Sequence, residues 1–255
     1  MNQLERIEKI LLEMTPISLE EIAGCAFTDR VDTKFVFPAH RLADVLALVK
    51  DEYAVLSIDG KQLLPYSTLY FDTFDFQLQR WHENGKANRF KLRQRHYEQT
   101  QQAFLELKYK TNQGKTVKHR IDNNVEDSQK ADFFNSISGF KLGNMQAHSY
   151  NRFSRITLAH HAHSARITID VDMRFSSDAE HWHALEGICI AEFKTPTHRH
   201  ALFETLKQHQ IYPLGFSKFI VGMYLNGMPA KLNRYKPLFK QLKNMQASTV
   251  QQKAV

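Results

Sequence analysis

Cysteine is scarce in this chain. Cys25 and Cys189 are the two present among 255 residues, with no metal-type spacing and no pattern of a disulfide framework, which fits a reducing compartment. Both read as small core residues. No apolar run is long enough to cross a bilayer, and no charged-then-apolar leader opens the chain, so the expectation is a cytoplasmic protein. Fixed-period repeats, low-complexity linkers, sharp shifts in composition and an evident nucleophile constellation are also missing. What is present, 42% apolar and 24% charged residues, is the composition of an ordinary globular domain able to bury a full core. The formal net charge of +7 implies attraction to polyanions, without choosing among nucleic acid, anionic membrane, nucleotides and inorganic polyphosphate.

The distribution of that charge says more than its sum. Side chains alternate between faces in an extended strand, so Arg89, Lys91, Arg93 and Arg95 form one cationic row with Phe90 and Leu92 behind it. Such a row repels itself unless it is solvated or binds something anionic. The pattern recurs: Arg30, Asp32 and Lys34 oppose Val31, Thr33 and Phe35; Glu106, Lys108 and Lys110 oppose Leu105, Leu107 and Tyr109; Lys118 and Arg120 oppose Val117 and Ile121. Further strands are expected at 66–72, 150–158, 166–172, where Arg166, Thr168, Asp170 and Asp172 share a face, and 188–195, which brings Glu192 and Lys194 together. Helical spacing marks 4–14, a short helix opened by the Ser18–Glu21 capping box, a helix after Pro38, 76–82, 127–138, one capped by Thr197, and one capped by Ser217. Many alternating strands of this kind predict an α+β fold in which antiparallel strands close into a β-barrel, with helices packed outside. A barrel lined by Arg and Lys is a phosphate-binding tunnel.

On these residues the chain resembles the triphosphate tunnel metalloenzymes and, within them, the catalytic domain of the vacuolar transporter chaperone (VTC) group, which makes inorganic polyphosphate from ATP. The resemblance spans 27–226 and rests on the ordered set RVDTKF at 30–35, YFDT at 70–73, KLRQR at 91–95, LELKYK at 105–110, YNR at 150–152, RITID at 166–170, AEFK at 191–194 and SKF at 217–219. It implies a metal-dependent phosphotransferase acting on ATP or another triphosphate, with inorganic polyphosphate as acceptor and product. Arg93, Arg95, Lys108, Arg152 and Arg166 are the expected catalytic cations. Arg30, Lys34, Lys91, Lys118, Arg120, Lys194, Ser217 and Lys218 are expected to bind phosphate, and Glu192 to hold Mn²⁺ or Mg²⁺. Arginine offers phosphate a planar fork and lysine a compact charge, and Mg²⁺-like ions prefer oxygen ligands.

Hydrolytic members of that superfamily open with Glu-x-Glu-x-Lys on the first strand, where this chain has Arg30, Asp32 and Lys34. The substitution removes a ligand for a second metal and favours transfer to phosphate, while Asp32 keeps hydrolysis open. Two other functions therefore stand beside the polymerase: a tripolyphosphate or nucleoside triphosphate hydrolase, and a non-catalytic polyanion or RNA binder. The last is disfavoured by an acidic Glu192 amid cations.

Glu106 reads equally as a metal ligand or as an ion pair orienting Lys108 or Arg93. Asp170 and Asp172 read as buffers of neighbouring arginines or as ligands of a second metal. His160, His161 and His163, and separately His181 and His183, read as solvated loop residues. Tyr70, Phe71, Phe133, Phe134 and Phe203 read as core; no residue stands out as a platform for adenine at the tunnel mouth. The expected organisation is a helical lead-in at 1–26, the tunnel domain at 27–226 and a basic, flexible tail at 227–255. No membrane or inositol-phosphate-sensing segment is expected within these residues, so coupling to transport is expected to need a separate membrane partner.

Overall fold

The computed structural model describes residues 3–24, 31–162, 165–197, 200–228 and 232–253. Cys25, Arg30 and His163 therefore lie outside the described residues. In chain order the elements are α1 (Gln3–Glu13), β1 (Pro16–Ile17), α2 (Leu19–Gly24), β2 (Val31–Pro38), α3 (Leu42–Val49), β3 (Tyr53–Leu56), β4 (Leu64–Thr73), α4 (Gln77–Glu83), β5 (Arg89–Tyr97), β6 (Gln102–Lys110), β7 (Thr116–Asp122), α5 (Asp127–Ser138), β8 (Met145–His160), β9 (Arg166–Ser176), β10 (His183–Ala184), β11 (Ile188–Thr195), α6 (Ala201–Gln208), α7 (Lys218–Leu225) and α8 (Leu232–Lys253).

The main path of the sheet runs β2-β11-β9-β8-β4-β5-β6-β7, and neighbours along it are antiparallel. Among the described residues β2 and β7 do not pair, so the sheet is open and the expected closed barrel is not formed. The chain itself shows why. The outer edge of β2 is taken by the segment at Pro213 and Leu214, through a bridge between Phe35 and Pro213 and a Leu214 N–H bond to the Lys34 carbonyl at 2.9 Å. Proline has no N–H to extend that ladder, and the other edge, β7, is a short, mostly exposed strand carrying Lys118 and Arg120, features that blunt an edge.

Register puts the charge on one face. Paired positions share a face, so Lys34, Glu192, Thr168, and likewise Arg155 with Asp170, line up with Thr68, Arg95, Arg93, Glu106, Lys108 and Lys118 across the sheet. The opposite face is apolar. There Phe35, Phe37, Ile156, Ile167, Ile169 and Phe193 pack on α1, α3 and α6, while Phe90, Leu92, Leu105 and Leu107 pack on α4 and α5. Each fully buried large side chain of this set contributes about 1.5–3 kcal/mol.

One helix departs from the expected outside position. Helix α7 lies against the polar face, where Phe219, Ile220 and Met223 cluster with Tyr70. Its approach to the sheet is close enough that a Cβ on Gly222 would meet Ser149 Oγ at 2.4 Å and Phe175 at 3.0 Å. Over 232–253 the expected flexible tail is a helix, anchored by buried Leu238 and Leu242 and by Phe239 stacked on Tyr224 at 3.7 Å. No helix among the described residues is long and apolar enough to cross a membrane.

Candidate functional site

The sheet curls around a cavity of ≈ 450 Å³. Its polar wall comes from distant strands: Asp32 and Lys34 from β2, Arg89 and Lys91 from β5, Lys108 and Lys110 from β6, and Glu192 from β11. Helices contribute Ser217 and Ile220 at the start of α7, His82 from α4, and Arg234, Tyr235 and Leu238 from α8, with Thr116 of β7 and the segments at Gly85 and Gly215–Phe216 completing the lining. Helix α4 is held in place from below, because the buried Asp72 carboxylate accepts hydrogen bonds from the backbone N–H groups of Leu78 and Gln79, each 2.8 Å. Its last turn then carries His82 to the cavity. Burial, reinforced by Lys91 and Arg89, depresses the His82 imidazole to about 2, so it stands there neutral.

Like charges crowd this wall. Burial, with Lys34 and Arg93 close by, pulls Lys91 down to about 7, and its ammonium donates to Ser217 Oγ at 3.2 Å. Arg93, together with burial, pushes Lys108 well below the usual lysine range. Glu192 is the counter-charge. Burial works against its ionisation, yet Lys34 at 2.5 Å and Lys194 at 3.9 Å hold its carboxyl far below the ordinary range. Lys34, Lys91, Lys108, Ser217 and Glu192, all expected site residues, thus meet at one cavity.

A second layer lies deeper, along β5 and β6 and on β8 and β9. Glu106, fully buried, receives Arg93 through Nε at 2.7 Å and Nη2 at 2.6 Å and is also paired with Lys118. Asp170 receives Arg155 through Nε at 2.5 Å and Nη2 at 2.9 Å, and pairs with Lys218. Arg95 donates to Thr68 Oγ1 at 3.4 Å. Glu106 and Asp170 act here as ion-pair partners; Arg93, Arg95 and Lys218 stand beneath the cavity, and Lys118 reaches Glu106 from the exposed edge strand.

Three expected residues lie elsewhere, and Lys194 stands beside Glu192 in register with Asp32 and Arg166. Arg166 shares the polar face but reaches the Ile22 carbonyl of α2. Arg120 lies with its guanidinium 4.5 Å from the Phe104 ring centroid. Arg152 sits opposite Arg174 on the other face, exposed and 4.7 Å from the Trp182 ring centroid.

The outward position of Arg152 follows from the alternation of β8, whose pairing with β4 runs without a shift from Arg155 to Ser149; a bulge alters the neighbouring strand instead. Between Arg152 and Ser154 the β8–β9 register shifts by one residue, absorbed on β9 near Asp172, which adopts a left-handed φ of 52°. A one-residue slip exchanges faces. Asp172 therefore leaves the face of Asp170, while on β8 Arg155 shares the inward parity of Asn151 and Phe153 and takes the position expected of Arg152. Arg155 and His82 were legible only through tertiary contacts, as were Arg234 and Tyr235. Arg155 carried one signal: it precedes the alternating run Ile156–Leu158 at inward parity.

Comparison with known proteins supplies the context for this geometry. Comparison with curated protein sequences found no significant match. Among solved structures, a candidate adenylate cyclase from Bacillus halodurans is similar at a TM-score of 0.51 and 14% identity, over 81% of this chain and 97% of that one. A candidate adenylyl cyclase from Hippeastrum, described as having a dominant triphosphatase activity, is similar at 0.51 and 16%, over 80% of this chain and 98% of that one. These likenesses establish the architecture. Residues 29–226 match the family described as VTC domain, and with the cationic face in that same span the chain belongs to the VTC domain family, of the triphosphate tunnel metalloenzyme fold.

Proposed function

We propose that the protein is a metal-dependent phosphotransferase that moves the terminal phosphoryl group of ATP, or of another triphosphate, onto phosphate or polyphosphate. The observation that carries this reading is the cavity wall, where Lys34, Arg89, Lys91, Lys108 and Lys110 face the carboxylates Asp32 and Glu192. Crowded lysines with lowered proton affinity are stabilised by a bound polyanion, and a triphosphate is the anion whose charge matches them.

The residues present fit a divalent ion. Glu192 is ionised, points into the cavity and has Asp32 beside it, so the donors are oxygens of the kind Mn²⁺ or Mg²⁺ takes. No cluster of three or more His, Cys, Asp or Glu side chains forms among the described residues. Glu192 would hold such an ion, whose contribution would be to neutralise charge on the transferring group. The protein's own groups do the rest. Lys34, Lys91 and Lys108 grip the triphosphate, and Ser217 orients the Lys91 ammonium. Arg93 and Arg95 set the field from below. Phosphate is already a nucleophile at neutral pH, so alignment and electrostatic stabilisation suffice without a dedicated base.

One observation favours a second reading, hydrolysis of tripolyphosphate or nucleoside triphosphates: Asp32 shares the cavity with Glu192 and offers a carboxylate to orient water. Incubating the pure protein with ATP and Mn²⁺ decides between them. Long chains resolved as a ladder on a gel support phosphotransfer, free phosphate alone supports hydrolysis, and steep salt-dependent binding without turnover overturns both. Glu192→Gln should abolish metal-dependent turnover; full retention would remove the assigned metal position. The reading includes a cytoplasmic location, with any transport of product left to a separate membrane partner.

A further inference from the structure

The cavity has two unlike walls. One is the charged strand wall described above. The other, from the segment before α7 and from α7 and α8, presents Phe216, Ile220, Tyr235 and Leu238. A bare chain of phosphates has no use for an apolar, aromatic wall. A ligand that is polyanionic at one end and planar and apolar at the other uses both.

Helix α8 is the distinctive contributor. It lies beyond residues 29–226, the span shared with the family, yet it brings Arg234 and Tyr235 to the cavity. Buried Leu238 and Leu242 dock it, and Arg234 ties its first turn to the end of α4 by donating from Nη1 to the Glu83 carbonyl. That places α8 beside Arg89, the first residue of the cationic row, which follows α4 in the chain and lines the same cavity. Arg234 is exposed and uses a single N–H in that bond, so its planar guanidinium still offers a flat face and further donors. Tyr235 is half-buried between two apolar clusters, which fixes its ring.

We infer that α8 supplies the nucleoside-recognising wall of this cavity, with Arg234 and Tyr235 receiving the base of a nucleoside triphosphate whose phosphates lie on the strand wall. The inference rests on the triphosphate reading of the cavity and adds which residues receive the base, Arg234 and Tyr235 on a helix outside the span shared with the family. Stacking of a base on an aromatic or guanidinium face is worth enough to change affinity about tenfold.

The test is calorimetric titration of the full chain with ATP and with inorganic tripolyphosphate, each with Mg²⁺, for wild type, Arg234→Ala, Tyr235→Ala and the ring-retaining Tyr235→Phe. The ratio of ATP affinity to tripolyphosphate affinity should fall about tenfold in the two alanine variants and stay near wild type in Tyr235→Phe. Because Arg234 is exposed, its alanine variant keeps the test valid if Tyr235→Ala loosens α8. An unchanged ratio in Arg234→Ala, with both ligands still bound, overturns the role of α8 alone. Wild-type protein that binds neither ligand overturns the triphosphate reading itself.

Discussion

The upper cavity and the layer beneath it share β5 and β6 and the same residue types, and they are electrostatic opposites. Below, each carboxylate is enclosed by two cations: Glu106 by Arg93 and Lys118, Asp170 by Arg155 and Lys218. Above, Lys34, Arg89, Lys91, Lys108 and Lys110 crowd around Asp32 and Glu192. The lower layer has its counter-charge built in and acts as structure. The upper layer has an excess of positive charge, and a substrate supplies what is missing.

The largest effect should come from removing a lower carboxylate. Glu106→Ala leaves Arg93 buried without its partner, which should cost about 3–5 kcal/mol of stability in denaturant unfolding. A loss below about 1 kcal/mol would erase the distinction between the layers.

In the upper layer the sign should reverse. Lys91→Met or Lys108→Met removes a crowded cation, so the ligand-free protein should hold or gain stability, while affinity for ATP drops at least about tenfold with loss of a charged hydrogen bond to phosphate. Thermal unfolding and titration on the same samples read both.

Varying pH sharpens the contrast without mutation. Burial lowers Lys91 to about 7 and Lys118 and Lys218 to about 8, so between pH 7 and the ordinary lysine range the unfolded chain binds more protons than the folded one. Stability of the ligand-free protein should therefore rise with pH across that window. Affinity for triphosphate should fall over the same range, because Lys91 grips phosphate only when protonated. Unfolding and binding measured from pH 6 to 9.5 should slope in opposite directions; parallel slopes would contradict the assignment of Lys91.

The smallest effect is expected at Arg152. Its exposed stack on Trp182 is worth about 0.5–1 kcal/mol, and Arg152→Ala should leave turnover of ATP within about twofold of wild type. Arg155→Ala, which uncovers buried Asp170, should lose far more of both stability and turnover.

Much of this was legible in the strands. Alternation alone placed Arg89 to Arg95 on one face with Phe90 and Leu92 on the other, and the faces of β2, β6 and β7 followed by the same period. Where the period broke, the reading broke. The bulge at Asp172 moved that carboxylate outward, since an inserted residue shows no mark in a sequence that alternates on both sides of it; Arg152 and Arg155 take opposite faces by the unbroken period of β8, and it was the family resemblance that put Arg152 in the site. The barrel failed to close for a similarly non-local reason: alternation specifies a strand's faces and says nothing of which chain meets its edge, here Pro213 and Leu214 against β2.

By itself, then, the sequence determined which side chains are presented together, because side-chain direction in a strand is a local property of the backbone. Partnership was decided by the tertiary structure. Glu106 and Asp170 became counter-ions and Glu192 the cavity carboxylate, and α8 entered the site, because burial and approach depend on elements far apart in the chain.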